Sequence, residues 1–355
     1  MILKEKTKRK IRTVLASTLI ICLAPVFQRV RTVSGASSMA AFAGKEIVCA
    51  IDLNDQNYGA KGLETGLNYE LLEKFASDNR CSVKIVAANK GTDYLDSLKN
   101  GKIDILVSRE EKEMDNLLVS KELHNGIVWT VKDGSNGQMR QINNWIGHFT
   151  SSADFQSTVG RYYGSYNPLK KAEKGIRCKE VSPYDAIIKQ NAKSLGWDWR
   201  MLAAVVYQES KFSIASRSPR GAVGLMQVMP HTGKHYGNED LLNPRENIKT
   251  GTEHLKRLQN MFSKYNLSDE ELIKFTLAAY NAGEGRIIDC RNFAASRNVN
   301  PDNWDEIVKL IPLMREDSIL QEESVKLGKF QGYETIAYVD SVLCLYDAIC
   351  EICPR

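Results

Sequence analysis

The sequence predicts a two-part protein: an α/β lobe on a mostly parallel sheet, then a mostly α domain. Three observations predict it. Residues 45–163 alternate strand-like and helix-like segments, the pattern of a parallel sheet flanked by helices. Residues 164–181 turn irregular, basic and Pro-containing, as a linker does. Residues 182–355 carry apolar stripes at helical spacing. A chain of 355 residues has room for two cores.

The chain opens with a segment of another kind. A basic stretch, "KEKTKRKIR", precedes the apolar run "TVLASTLIICLAPVF". That run is short and interrupted for a membrane span and suits a secretory signal peptide. Residues 1–43 are therefore read as a signal peptide or an N-terminal anchor. Ala41-Phe42-Ala43 has the form of a cleavage site, with a mature start near Gly44. Cys22 is a candidate lipid-attachment site, although Ile21 precedes it where a small residue is wanted. Residence in the cell envelope, in the periplasm or attached to the outer membrane, is the expectation.

The same segment distorts the charge. Residues 1–44 hold eight of the 48 Lys and Arg side chains but one of the 43 Asp and Glu. The remainder is slightly acidic, so no nucleic-acid binding through phosphate neutralisation is expected. Seven cysteines follow residue 44, an odd number. Cys49 and Cys81 fall on strands expected to be neighbours and are candidates for a bridge. Cys350 and Cys353 form "CEIC" without a thioredoxin-like context or two further zinc ligands. They are read as incidental, and neither metal nor cofactor is expected.

The elements of the lobe follow in order. "EIVCAIDL" (46–53) reads as a strand, and "GLNYELLEKFASDN" (66–79) as a helix with Leu67, Leu71, Leu72 and Phe75 on one face. "CSVKIVAA" (81–88) is a second strand, "TDYLDSLKNGK" a short helix, "IDILVS" (103–108) a third strand and "GIVWTVKD" (126–133) a fourth. The segments "GLNYELLEKFA", "LDSLKNGKIDILVS" and "LLVSKELHNGIVWTVKDGS" resemble the first lobe of periplasmic solute-binding proteins of the amino-acid-binding type. The resemblance covers about residues 45–163 and is truncated. Only "DGSNGQ" stands where that family crosses to its second lobe, and Glu113 stands where its carboxylate-binding arginine is expected. The resemblance thus implies half a clamshell: a docking or sensing module or a remnant, with no free amino acid bound.

In the helical part, "SPYDAIIKQNAKSLG" opens on a Ser cap with Pro at the first position. "DWRMLAAVVYQES", "NIKTGTEHLKRLQNMFSKY" and "SDEELIKFTLAAYNAG" carry apolar stripes, capped by Asp198, Asn243 and Ser268. "YETIAYVDSVLCLYDAI" closes the chain. Glu209 lies at the end of a greasy helix, on the side of Leu202, Val205 and Val206. Desolvation there raises a carboxyl pKa and holds its proton near neutrality, as donation to a leaving-group oxygen requires. The competing readings are a plain surface Glu at a helix end, or one bridged to a nearby arginine such as Arg217 or Arg220.

Five motifs bear on that choice. In order come "ES.F" from Glu209, "S..GA.GLMQ..P.T" from Ser218, "NP..NI..G..HL", "LAAYNAG.G" and "YET..YV". Together they resemble the soluble-lytic-transglycosylase fold, related to goose-type lysozyme, over residues 182–346. With a solute-binding lobe in front, the arrangement is similar to the membrane-bound lytic murein transglycosylase F group. The resemblance implies Glu209 as the catalytic acid. It implies Ser210, Ser218, Met226, Gln227, Tyr280, Asn281, Glu334 and Tyr338 as substrate-binding residues. Some have a second reading: core packing for Met226, a helix cap for Asn281 and a solvated pair for Glu334 and Tyr338. Gly221 and Gly224 are read as a groove wall returning toward Glu209, with a plain loop as the alternative. Tyr280 is expected to aim its hydroxyl at the acid or the sugar.

The function this implies is cleavage of the bond between N-acetylmuramic acid and N-acetylglucosamine in peptidoglycan, leaving a 1,6-anhydro end. Peptidoglycan strands are the expected partner, with the membrane a second. A two-carboxylate glycosidase needs another acid at a defined separation. Apart from Glu334, none in these motifs stands clearly opposite Glu209. A lysozyme-type hydrolase and an inactive wall-binding or sensing protein are the two alternatives.

Overall fold

The computed structural model describes residues 41–53, 62–87, 92–109, 116–164 and 166–354. Glu113, Cys22 and the leader lie outside the described residues.

The lobe contains β1 (Glu46–Asp52), α1 (Gly62–Asp78), β2 (Ser82–Ala87), α2 (Tyr94–Lys99), β3 (Ile105–Arg109), β4 (Leu117–Val119) and β5 (Ile127–Lys132). Then come α3 (Asn136–Phe149) and α4 (Ala153–Tyr162). The sheet order is β2-β1-β3-β5-β4. β1 pairs in parallel with β2 and with β3, whereas β5 runs antiparallel to β3 and β4. The sheet is thus mixed. The fourth expected strand returns in the opposite direction, and the three-residue β4 escaped sequence reading because it is too short to show alternation.

β1, β3 and β5 are buried over most of their length, which is why they read as apolar runs. An aromatic cluster forms the core. Phe75 of α1 meets Phe42 and Trp129 edge-on, each 5.3 Å between centroids, and Trp129 stacks on Trp145 at 5.5 Å. Phe42 is fully buried, and the neighbouring Ala41 N–H donates to Gln141 Oε1 at 2.7 Å. The Ala41-Phe42-Ala43 stretch read as a cleavage site is therefore part of the packed lobe. A cut after Ala43 would strip an aromatic from its core.

Cys49 and Cys81 are both free. In the β1–β2 register Cys49 sits opposite Ile85, four residues beyond Cys81. At about 3.3 Å per residue that offset exceeds the reach of a disulfide.

The segment expected to be irregular contains a helix, α5 (Pro168–Glu173), whose first turn is capped by Asn167. The helical part follows with α6 (Asp185–Leu195), α7 (Trp199–Ser210), α8 (Pro230–His235), α9 (Pro244–Phe262) and α10 (Asp269–Ala282). α11 (Glu284–Ser296), α12 (Trp304–Leu310) and α13 (Tyr333–Ile352) complete it. Asp198, Asn243 and Ser268 cap α7, α9 and α10 as expected. α6 starts later than expected. Ser182 donates to Asp185 Oδ1 at 2.6 Å, and the N–H of Val181 donates to Asp185 Oδ2. With both its oxygens engaged by the preceding turn, Asp185 opens the helix two residues after Pro183.

Lobe and helical part share one hydrophobic core, which runs from Phe42 to Cys353. α1 approaches closely at Gly66, where a Cβ would lie 2.4 Å from the Tyr184 hydroxyl and 2.9 Å from Tyr162. One turn on, Glu70 accepts from Arg161 at 2.5 Å and from the Tyr162 hydroxyl at 2.8 Å.

Candidate active site

α7 delivers Glu209. Its residues Met201 to Tyr207 are all buried, so the helix is held on every side. It ends abruptly because Lys211 and Phe212 both take left-handed backbone, at φ 54° and 65°. Phe212 is fully buried, and its packing offsets the backbone strain of roughly 1–3 kcal/mol per residue.

Burial lifts the Glu209 pKa from 4.5 to about 7. Two opposing influences are smaller: a hydrogen bond from Tyr338 and the charge of Lys211. The Tyr338 hydroxyl donates to Glu209 Oε1 at 2.6 Å. No ion pair joins Glu209 to Arg217 or Arg220, so the surface-pair reading does not hold. Among the described residues, no second carboxylate influences Glu209.

The loop between α7 and α8 is held by Asn247 of α9. Its fully buried side chain accepts from Met226 N–H at 2.8 Å and donates to the carbonyls of Val223 and Leu241, at 3.0 and 2.8 Å. Gly224, at φ 79°, sits so close that a Cβ would lie 2.4 Å from Asn247 Nδ2 and 2.6 Å from Leu241 O. Gly221 also has positive φ but faces open space, which is the plain-loop reading.

The expected substrate-binding residues divide. Tyr338 touches Glu209 directly. Tyr280 does not aim its hydroxyl at the acid: it donates to Met226 O at 2.7 Å, bracing the loop. Glu209 still lies near enough for its charge to raise the already buried Tyr280 phenol further. Gln227 sits in left-handed backbone at φ 47°, and its amide N–H groups bond Ser216 O and Gly224 O. Its amide oxygen is what remains to offer a ligand.

Met226 is fully buried, with its sulfur over Gly251. It is core, and no sugar face meets it. Ser210 is also buried and donates back to Val206 O within its own helix. Ser218 closes a turn, its hydroxyl accepting from Ala222 N–H at 3.0 Å. Asn281 does not cap its helix. Its side-chain oxygen accepts from Thr335 at 2.8 Å, tying α10 to α13. Glu334 is exposed in the first turn of α13.

Three nearby residues carried no role in the sequence reading. Asn247 stands inside a quoted motif, but an Asn in a first helical turn reads as capping. Lys211 places its Nζ 4.3 Å over the Tyr207 ring, next to the acid. His254 packs 5.6 Å from Tyr280; burial, more than the nearby Arg257, lowers its pKa. Among the described residues, no three His, Cys, Asp or Glu side chains are grouped to hold a metal ion.

Chemically, the arrangement is one protonatable carboxyl and a braced loop, within a helical domain. Residues 186–303 match the family model described as Transglycosylase SLT domain. Curated relatives carry the name membrane-bound lytic murein transglycosylase F. That of Desulfosudis oleivorans is 28% identical over 228 residues, 63% of this chain and 49% of the relative. That of Haemophilus influenzae strain PittEE is 39% identical over 145 residues, 41% of this chain and 30% of the relative. The chain thus spans half or less of these relatives. The 70 kDa soluble lytic transglycosylase of Escherichia coli is similar in structure at a TM-score of 0.36. It is 18% identical, and the match covers 83% of this chain and 45% of that one.

Proposed function

We propose that this chain is a peptidoglycan lytic transglycosylase with Glu209 as its only acid and base. The observation that carries the reading is a carboxyl with a pKa near 7, held by Tyr338, inside an SLT domain. Near neutral pH a large fraction of Glu209 is protonated and ready to donate. It would protonate the oxygen joining N-acetylmuramic acid to N-acetylglucosamine. The positive charge at C1 would be relieved by the 2-acetamido carbonyl of the same sugar, in the substrate-assisted manner. Glu209, now a carboxylate steadied by the Tyr338 hydroxyl, would accept the proton of the C6 hydroxyl. That oxygen closes on C1 and gives the 1,6-anhydro sugar without water. Attack within one sugar has a high effective molarity, and a single carboxyl suffices.

Gln227 and Glu334 are the side chains proposed to face the glycan, while Tyr280 and Asn247 hold the loop. The lobe is proposed as accessory. Its one arginine at the end of β3, Arg109, is already paired with the Glu64 carboxylate at 2.5 Å. Free amino acids should accordingly give no binding heat in calorimetry. The basic and apolar leader supports residence in the cell envelope, with any cut falling before Ala41. No helix among the described residues is long and apolar enough to cross a membrane.

Mass spectrometry of digested peptidoglycan tests the reading, since anhydro and reducing ends differ by one water. Reducing ends alone would make the chain a hydrolase on the same fold, and no new ends would make it a binding protein.

A further inference from the structure

Two cysteines that are remote in sequence meet where the helical part begins and ends. Cys178 lies between α5 and α6, and Cys353 ends α13. The Cys178 N–H donates to the carbonyl of Ile352, the residue before Cys353, at 2.8 Å. That bond seats the Cys178 backbone against the peptide unit that joins Ile352 to Cys353. Disulfides span roughly 4.4–6.8 Å between Cα atoms. A second bond joins the same two stretches of chain. Cys353 Sγ points at the Lys179 carbonyl, 3.8 Å away, and Cys353 is buried. Cys178 packs against the same core.

The other thiols are placed differently. Cys350 leans on Tyr346, toward Arg200 and Asp198. Cys290 is fully buried in α11, and Cys344 is exposed on α13. All seven described thiols are free in this structure.

We propose that Cys178 and Cys353 form a disulfide that staples the entry of the helical domain to the end of its last helix. The bond is made by exchange with an external disulfide. The Cys178 and Cys353 thiols lose their protons and two electrons, one S–S bond forms between them, and the external disulfide is reduced to two thiols. Residues 178–353, and with them Glu209 and the α13 that carries Tyr338, then lie inside one covalent ring. Closing so long a stretch restricts the unfolded chain strongly. Export from the cytoplasm would bring the chain into a compartment where such bonds persist.

The test uses the purified full chain, equilibrated with oxidised glutathione, blocked with iodoacetamide and mapped by protease digestion and mass spectrometry. The expected result is one cross-linked peptide pair joining Cys178 to Cys353, with a loss of two hydrogens. The thermal midpoint should rise by on the order of 5–10 °C over the reduced protein. Cys353→Ser should abolish both the pair and the shift. A Cys350–Cys353 bridge, glutathione adducts on both thiols, or free thiols at Cys178 and Cys353 would each overturn the proposal. The peptide map of the unmutated chain decides this even if the variant fails to fold.

Discussion

At the residue scale, Glu209 is decided by a contest between burial and hydrogen bonding, and burial wins. Glu209→Gln keeps size and polarity but removes the transferable proton. Turnover should fall by at least ~10²–10⁴-fold, measured as release of anhydro-muropeptides, while glycan binding survives. The same variant has a pH signature in stability. A carboxyl whose folded pKa lies near 7 against 4.5 holds more protons folded than unfolded between those values. Stability therefore declines as pH rises through that window. Removing the group should stabilise the protein by on the order of 2–3 kcal/mol at pH 8 and by almost nothing at pH 4. Urea denaturation at both values reads the difference; equal shifts would place the effect elsewhere. Tyr338→Phe removes a donor that favours the carboxylate. The Glu209 pKa should rise, and the alkaline limb of the rate profile should move to higher pH. A limb that stays or moves down would remove Tyr338 from the proton chemistry.

At the element scale, the loop after α7 is positioned by α9 through one side chain. Asn247→Ala leaves a buried N–H at Met226 and buried carbonyls at Val223 and Leu241 without their partner. Unsatisfied buried groups cost about 1–3 kcal/mol each, and relaxation offsets part. A loss of roughly 2–4 kcal/mol in chemical denaturation is expected. Activity should fall in addition, because Gln227 rides on the same loop. A stable, fully active variant would mean that the Tyr280 hydrogen bond and packing hold the loop without Asn247. The sequence showed these helices well, since apolar stripes and caps are local signals. It did not show the clamp, because the three partners of Asn247 lie six to twenty-four residues away. Met226 and Ser210 were misplaced for a related reason: a motif position does not say whether a side chain faces groove or core.

At the scale of the whole molecule, the lobe and the helical part form one continuous core. Sequence reading suggested two parts and an accessory lobe, so residues 178–355 alone should retain cleavage. The contacts at Gly66, Glu70 and Tyr184 qualify that expectation. A fragment starting at residue 178 exposes Tyr184, now buried, and loses the Tyr69 hydrogen bond to Asp240. Its thermal midpoint should fall below that of the full chain. At a temperature where both are folded it should still cleave, because every side chain placed around Glu209 comes from the helical part. Equal midpoints would show that the shared core adds no stability.

The sequence by itself determined what depends on neighbours along the chain. The α/β alternation, the capped helices and the greasy helix that ends at Glu209 were all written in local pattern. Tertiary structure alone decided the direction of β5, the bracing of Tyr280 on Met226, the Tyr338 hydroxyl on Glu209 and the burial of Phe42. It also decided that the Cys178 N–H meets the carbonyl of Ile352, beside Cys353, while Cys49 lies opposite Ile85 and not Cys81. Each of these depends on groups far apart in sequence, whose meeting is set by how whole elements pack and in which register. A periodic pattern records which face of an element is apolar, but not which atom of another element that face will meet.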